Sequence, residues 1–428
     1  MAARRLRAGD RWDTGRVPSS SLSKLLRACL PKFLLPGVKP GVHVFSFIGG
    51  LEAVVRGSAL SLYPLLMYRA WGDASTVAQF YFLAGLLSLL TAFSLPLVMR
   101  RIARNRIYAA GILLYGVSAC LGIAGGKIVT LALLCHTLAS TIAFVCFNAY
   151  VLDHVAKTDF SRLETLRLQY GGLGWTVGPV LAVWLLQFWH GAPFLIVLGG
   201  ASAMLATLWH LRLGNGLVIG SLRSSDANPF SHLRSFFFQP RLVAGWFFPV
   251  VRSCGWWIYF VYVGIFAIQS GLGEQVGGIA ASLASGGQFL APLLLSWMQR
   301  RSVREAVRTG FLLSSACFTL AALASPLPWV TVALMILGAY SLLLLDVAGG
   351  LPFMMSVKPS QRADMSVVYS SFRDVSGILS PALVWVVLQF TPVAGAFAAG
   401  GLALFGAWYV AGKLHPDLGV PGSSRIRS

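Results

Sequence analysis

Laid against itself at an offset of 196 residues, the separation of Arg56 from Arg252, the chain repeats. Gly49, Val54, Val55, Arg56, Tyr63, Gln79, Phe93, Pro96 and Leu97 return as Gly245, Val250, Val251, Arg252, Tyr259, Gln275, Phe289, Pro292 and Leu293. Further along the register slips by a few residues: Ser118, Ala119 and Cys120 recur as Ser315, Ala316 and Cys317, Arg162 as Arg362, and Pro179 as Pro381. Both copies run in the same sense, so the fold must be two similar units in parallel. Each copy also holds an arginine inside its first long apolar segment, where a charge is costly and marks function.

The segments are too apolar and too long for soluble domains: 56% of the residues are hydrophobic, 11% charged, and mean hydropathy is +0.72. About 20 apolar residues cross a bilayer as a helix. Six such stretches read near 43–68, 74–98, 107–126, 128–151, 168–189 and 192–211, and six more near 242–268, 274–298, 309–325, 328–355, 366–390 and 392–412. The expected fold is an all-α polytopic membrane protein of twelve transmembrane helices. Its units are a basic tail (1–42), a first half (43–211), a central loop (212–241), a second half (242–412) and a C-terminal tail (413–428).

A net charge of +20 in a soluble protein would suggest a nucleic-acid partner, but here the basic residues are sorted by loop. Of 34 Lys and Arg, 29 fall in the two tails, the central loop and the even-numbered loops, whereas the alternate loops hold only Arg69 and Lys127. By the positive-inside rule both termini and the central loop are cytoplasmic, and nucleic acid is excluded as a partner. The first 39 residues lack a signal-peptide core, because Lys24, Arg27, Pro31 and Lys32 interrupt it. Their Arg-rich, Ser-rich character also resembles an organelle transit peptide. The cysteines form no CxxC pair, so neither a disulfide framework nor a metal site is expected. No nucleotide-binding glycine loop and no cofactor motif occurs.

Twelve spans in two parallel copies, joined by a short basic loop, resemble the major facilitator superfamily of secondary transporters. Pro96–Arg106 (PLVMRRIARNR) is similar to that family's G-x-L-x-D-R-x-G-R-x-R turn after the second span. Arg101, Arg104 and Arg106 match, while Arg100 replaces the acid and Pro96 and Ala103 the glycines. The resemblance implies gating or topology roles at the cytoplasmic ends for Arg100, Arg101, Arg104, Asp153, Arg162, Arg362, Arg373 and Asp374. In span five, Gly174, Gly178 and Pro179 resemble the G-x-x-x-G-P-x-x-G signature of exporters and antiporters; small residues four apart also simply let helices approach. The resemblance further implies a monomer in the cell inner membrane, with a small-molecule substrate, the bilayer and protons as partners, no cofactor, and no enzymatic activity.

In that family spans one, four, seven and ten line a central cavity and three, six, nine and twelve form the rim. The charges obey this division: Glu52 and Arg56 lie in span one, Arg252 in span seven, Asp346 in span ten, and the rim spans carry none. A charge at a helix centre costs roughly 2.5–3.5 kcal/mol on insertion scales, which a water-filled cavity relieves. Glu52 and Arg56, four apart, form either a static pair or a proton switch. Arg252 either locks onto Asp346 or faces a substrate anion; its symmetry with Arg56 resembles the organophosphate antiporters, where two arginines grip a phosphate. Trp256, Trp257, Tyr259 and Tyr262 either line the site with Arg252 or pack, and His136 either packs or carries a proton. The reading is a proton-coupled carrier of a small organic anion, with Arg56, Arg252, Trp256 and Tyr259 on the substrate and Glu52 or Asp346 on the proton. The alternatives are a proton-linked exporter of apolar or cationic compounds and a non-transporting assembly protein of the same fold.

Overall fold

The computed structural model describes residues 41–99, 101–155, 159–210, 236–357, 365 and 368–414. The N-terminal tail, most of the central loop, Arg100 and Arg362 therefore lie outside the described residues. The elements run α1 (Val42–Trp71), α2 (Ala74–Met99), α3 (Arg104–Ala124), α4 (Val129–His154), α5 (Phe160–Leu185), α6 (Ala192–His210), α7 (Pro240–Gln269), α8 (Glu274–Gly286) and α9 (Ala291–Arg300). They continue with α10 (Val303–Leu323), α11 (Pro328–Ala348), α12 (Leu351–Ser356), α13 (Phe372–Val387) and α14 (Ala394–Ala411). Ten spans among these are long and apolar enough to cross a membrane by length and composition. The fifth and eleventh fall short for physical reasons: in α5 Gln169, Tyr170, Trp175, Pro179 and several glycines dilute the apolar residues beyond its charged first turns, and α13 is only 16 residues long.

Local chemistry sets the ends. Gly72 closes α1 at φ 70°, returning its N–H to the Tyr68 carbonyl, a conformation favoured by glycine. Asp73 then accepts the Ser75 and Thr76 N–H groups to start α2. Ser302 accepts the Glu305 N–H at 3.1 Å to start α10.

Two spans read as continuous in the sequence are broken. The eighth passes through a 3₁₀ turn at Gly287–Leu290 between α8 and α9, where two glycines and Pro292 weaken the α-helical ladder. The tenth stops at Ala348, because Gly349 turns at φ 47°, and resumes as α12. The helices also overrun the apolar stretches: α3 begins at Arg104, and α10 includes Arg304, Glu305 and Arg308. Two of the four rim helices, α3 and α10, thus carry charge in their first turns, whereas α6 and α14 hold no Asp, Glu, Lys or Arg.

Within the first half α1 packs mainly on α5 and α6, and α3 on α4 and α6; in the second half α7 meets α8, α11, α13 and α14, and α10 meets α11 and α14. The halves meet through α1 on α7, α5 on α8 and α2 on α13, while α3, α6, α10 and α14 pack within their own halves. Glycine makes these seams possible. A Cβ on Gly57 would stand 2.4 Å from the Gly174 carbonyl oxygen, one on Gly174 2.6 Å from the Val54 nitrogen, and one on Gly178 2.8 Å from backbone atoms of Gly57 and Ser58. The Gly174, Gly178 and Pro179 motif therefore docks α5 backbone-to-backbone on α1. Beyond Pro179 the Val180 N–H crosses to the other half and donates to Ser282 Oγ at 3.0 Å.

Candidate functional site

The most apolar stretch of α1 is 72% buried, the highest share of any span, yet Arg56 in its middle keeps 36% of its side chain open. That exposure marks an open cleft beside α1. Arg56 Nη1 lies 3.6 Å from Glu52 Oε1, beyond hydrogen-bond distance, so the pair is loose. The guanidinium rests 5.4 Å from the Trp175 ring centre of α5. Glu52 itself is buried, with the hydroxyls of Tyr108 and Tyr115 in electrostatic reach.

The second half holds a tighter counterpart. Arg252 Nε lies 3.0 Å from Asp346 Oδ1, and Trp256 Nε1 donates to Asp346 Oδ2 at 2.9 Å. Asp346 thus joins α7 to α11 just before the Gly349 break. Trp256 in turn stacks on Phe260, ring centres 5.2 Å apart. Tyr259 departs from the sequence expectation: it is fully buried and donates its hydroxyl to the Ala280 carbonyl at 2.7 Å, fixing α7 to α8 instead of facing the cleft. Tyr262 is buried as well, whereas Trp257 meets Tyr81 of the first half edge-on at 5.9 Å. His136 is buried between the rings of Tyr63 and Tyr115, at 5.1 and 4.9 Å, a packed position.

Two further arginines join the cleft: Arg167, expected in the loop after span four, and Arg373, expected in the cytoplasmic part of span eleven. Arg167 of α5 pairs with Glu164 at 3.0 Å and lies over the Phe147 ring of α4. Arg373, at the start of α13, sits over Phe372 at 5.7 Å and reaches across to Phe144 of the first half at 5.6 Å. It is in electrostatic range of Arg56, Arg167 and Arg252 together. Arg373 is therefore a cleft residue. The remaining gate candidates disperse: Arg101 is exposed after α2, Arg104 is buried at the foot of α3 over the Tyr150 ring, and Arg162 approaches His43 at 3.5 Å. Asp153 ends α4 with its side chain outside the described residues, and Asp374 occupies the first turn of α13.

The sequence reading also missed a set of links between the halves at the face opposite the basic loops. Arg69 holds Glu274 through both carboxylate oxygens, Gln269 donates to the Tyr68 hydroxyl at 3.1 Å, and Gln389 donates to Ser75 Oγ at 2.6 Å. No hydrogen bond or ion pair between described residues joins the halves toward the basic face. The charge on Arg69 had been read only as a topology signal.

Across the described residues no group of His, Cys, Asp and Glu is arranged to hold a metal. The profile of the Major Facilitator Superfamily matches residues 45–381.

The chain belongs to the major facilitator superfamily.

It is thus a multi-pass membrane protein and a secondary transporter, not an enzyme. Comparison with curated proteins returned no match. Among solved structures, the chain is similar to the nucleoside transporter NupG (16% identity, TM-score 0.66, covering 87% of this chain and 99% of that one). It is also similar to a peptide transporter POT in complex with sulfate (15%, 0.67, 91% and 96%). A bacterial homologue of the iron transporter ferroportin in an inward-facing state gives 13%, 0.64, 87% and 98%. At these identities the likeness is one of fold, and the superfamily scaffold leaves the solute open.

Proposed function

We propose that this superfamily member carries a small organic anion across the membrane, coupled to protons, through the cleft between its halves. The observation that supports it is the convergence of Arg56, Arg167, Arg252 and Arg373 there, contributed by four helices from both halves. Guanidinium groups suit carboxylate and phosphate, whose oxygens accept paired N–H donors. The exporter-like motif in α5 has a packing explanation in the Gly57 contact.

Proton coupling runs through Glu52. Its loose contact with Arg56 lets the arginine turn from the carboxylate to a solute, and a carboxyl losing that counter-charge in a buried place takes up a proton. Asp346 is the less suited carrier, since it is held from both oxygens by Arg252 and Trp256. We further propose an inner-membrane location with both termini cytoplasmic, on the 29-to-2 loop asymmetry.

The test is ligand-dependent thermal stability of the purified protein against organic phosphates, organic carboxylates and lipophilic cations, since a ligand bound only by the folded state raises its melting temperature. Stabilisation by members of the first two classes supports the reading; stabilisation by the cations alone refutes it. Glu52→Gln is expected to keep the stabilisation and lose pH-gradient-driven accumulation in vesicles, and undiminished accumulation removes the coupling role from Glu52.

A further inference from the structure

We infer that Arg373, not the symmetric pair Arg56 and Arg252, is the primary group that binds the solute's carboxylate or phosphate. This rests on the anion-transport reading and names the residue that sets its specificity. Three of the four cleft arginines already have a carboxylate within 4 Å: Arg56 has Glu52 at 3.6 Å, Arg167 has Glu164 at 3.0 Å and Arg252 has Asp346 at 3.0 Å. Arg373 has none among the described residues, and its side chain makes no hydrogen bond to them either. Asp374, next in sequence, is in electrostatic reach of Arg373 but makes no ion pair with it, and it stands in the first turn of α13.

Arg373 is exposed to the cleft, among other cations. It feels three other guanidinium charges, and it occupies the positive end of a helix dipole. Asp374 offsets part of that repulsion without a direct ion pair, and the exposed side chain of Arg373 leaves its donors open to a further anion. Its contacts are instead the faces of Phe144 and Phe372, which hold the guanidinium plane while leaving the in-plane N–H donors free for a forked oxyanion. Phe372 lies also under Arg252, 5.5 Å away. A continuous stack from Arg252 through Phe372 and Arg373 to Phe144 therefore spans the cleft from one half to the other. An anion caught by Arg373 sits where movement of the halves would be felt at once.

The experiment measures the melting temperature of the full-length purified protein against rising inorganic phosphate, phenyl phosphate and benzoate, at constant ionic strength balanced with chloride. Wild type is expected to be stabilised saturably by at least one of them. Arg373→Gln is expected to need at least ten-fold more of that probe, Arg373→Lys to fall between, and the control Arg301→Gln, in an exposed pair with Glu305, to match wild type. In the absence of any probe, Arg373→Gln is expected to melt above wild type, because the repulsion is gone. A wild type that responds, beside an Arg373→Gln that responds with the same midpoint, overturns this inference alone. A wild type that ignores all three probes overturns the anion reading and the role of Arg373 with it.

Discussion

Asp346 ties α7 to α11 immediately before the Gly349 break, so removing either end of its ion pair should loosen the second half. At 3.0 Å between Arg252 Nε and Asp346 Oδ1 the gross attraction is about 5–6 kcal/mol at an effective dielectric near 20. Desolvation cancels much of it, and Asp346 keeps 36% of its side chain exposed, so solvent screens the remainder. A net coupling of about 1–2 kcal/mol is left, or roughly 2–4 °C of melting temperature per kcal/mol for units of 150–250 residues, the size range of each half. Asp346→Asn strands Arg252, which is 13% exposed; Arg252→Gln leaves Asp346 with the Trp256 N–H alone. Each single change is expected to lower the melting temperature by several degrees, and Arg252→Gln with Asp346→Asn to lose less than the sum. The assay is a double-mutant cycle of thermal melting in detergent. Additivity within about 0.5 kcal/mol would refute the lock.

Gly57→Leu forces a side chain against the Gly174 carbonyl and is expected to cost about 1–3 kcal/mol, whereas Gly199→Ala, with open space around it, should melt like wild type; equal melting of the two contradicts the α1–α5 seam. Glu274→Arg sets two cations face to face at Arg69, and spin labels on cysteines at Lys127 and Ser325 are expected to move apart, with recovery on adding Arg69→Glu; an unchanged distance distribution removes the latch. Partial burial opposes the charge on Asp73, but the Thr76 hydroxyl and the Thr76 and Ser75 N–H groups outweigh it and hold the carboxyl below the usual range. Its stabilisation is therefore present above the unfolded pKa near 4 and lost as pH falls through the lower folded value, so Asp73→Ala should cost about 1 kcal/mol at pH 7 and nothing at strongly acidic pH. A mutant deficit that persists in acid denies the carboxylate cap.

The repeat made the architecture legible, because Arg56 and Arg252 mark equivalent turns of equivalent helices in two parallel copies. The site was legible only in part. Arg167 sits at a span end, where a hydropathy window assigns any arginine to a loop, and Arg373 falls in the cytoplasmic part of a span; their direction depends on helix rotation and on where the halves meet, neither of which a single helix encodes. Tyr259 shows the converse, since its spacing from Trp256 suggests one face while packing of α8 claims its hydroxyl. The breaks after Ala348 and Gly286 did carry a signal, the glycine pairs Gly349-Gly350 and Gly286-Gly287, masked by the surrounding apolar run. Arg69 was visible as a charge, but its partner Glu274 lies 205 residues away and only the assembled halves bring them together.

The most direct measurement follows the pH inside proteoliposomes loaded with a pH-sensitive dye as candidate solutes are added outside. Organic anions that stabilise the protein are expected to drive a pH change that disappears in Glu52→Gln, its sign giving the direction of proton movement. A pH change driven by lipophilic cations, with none from any stabilising anion, would contradict proton-coupled anion transport.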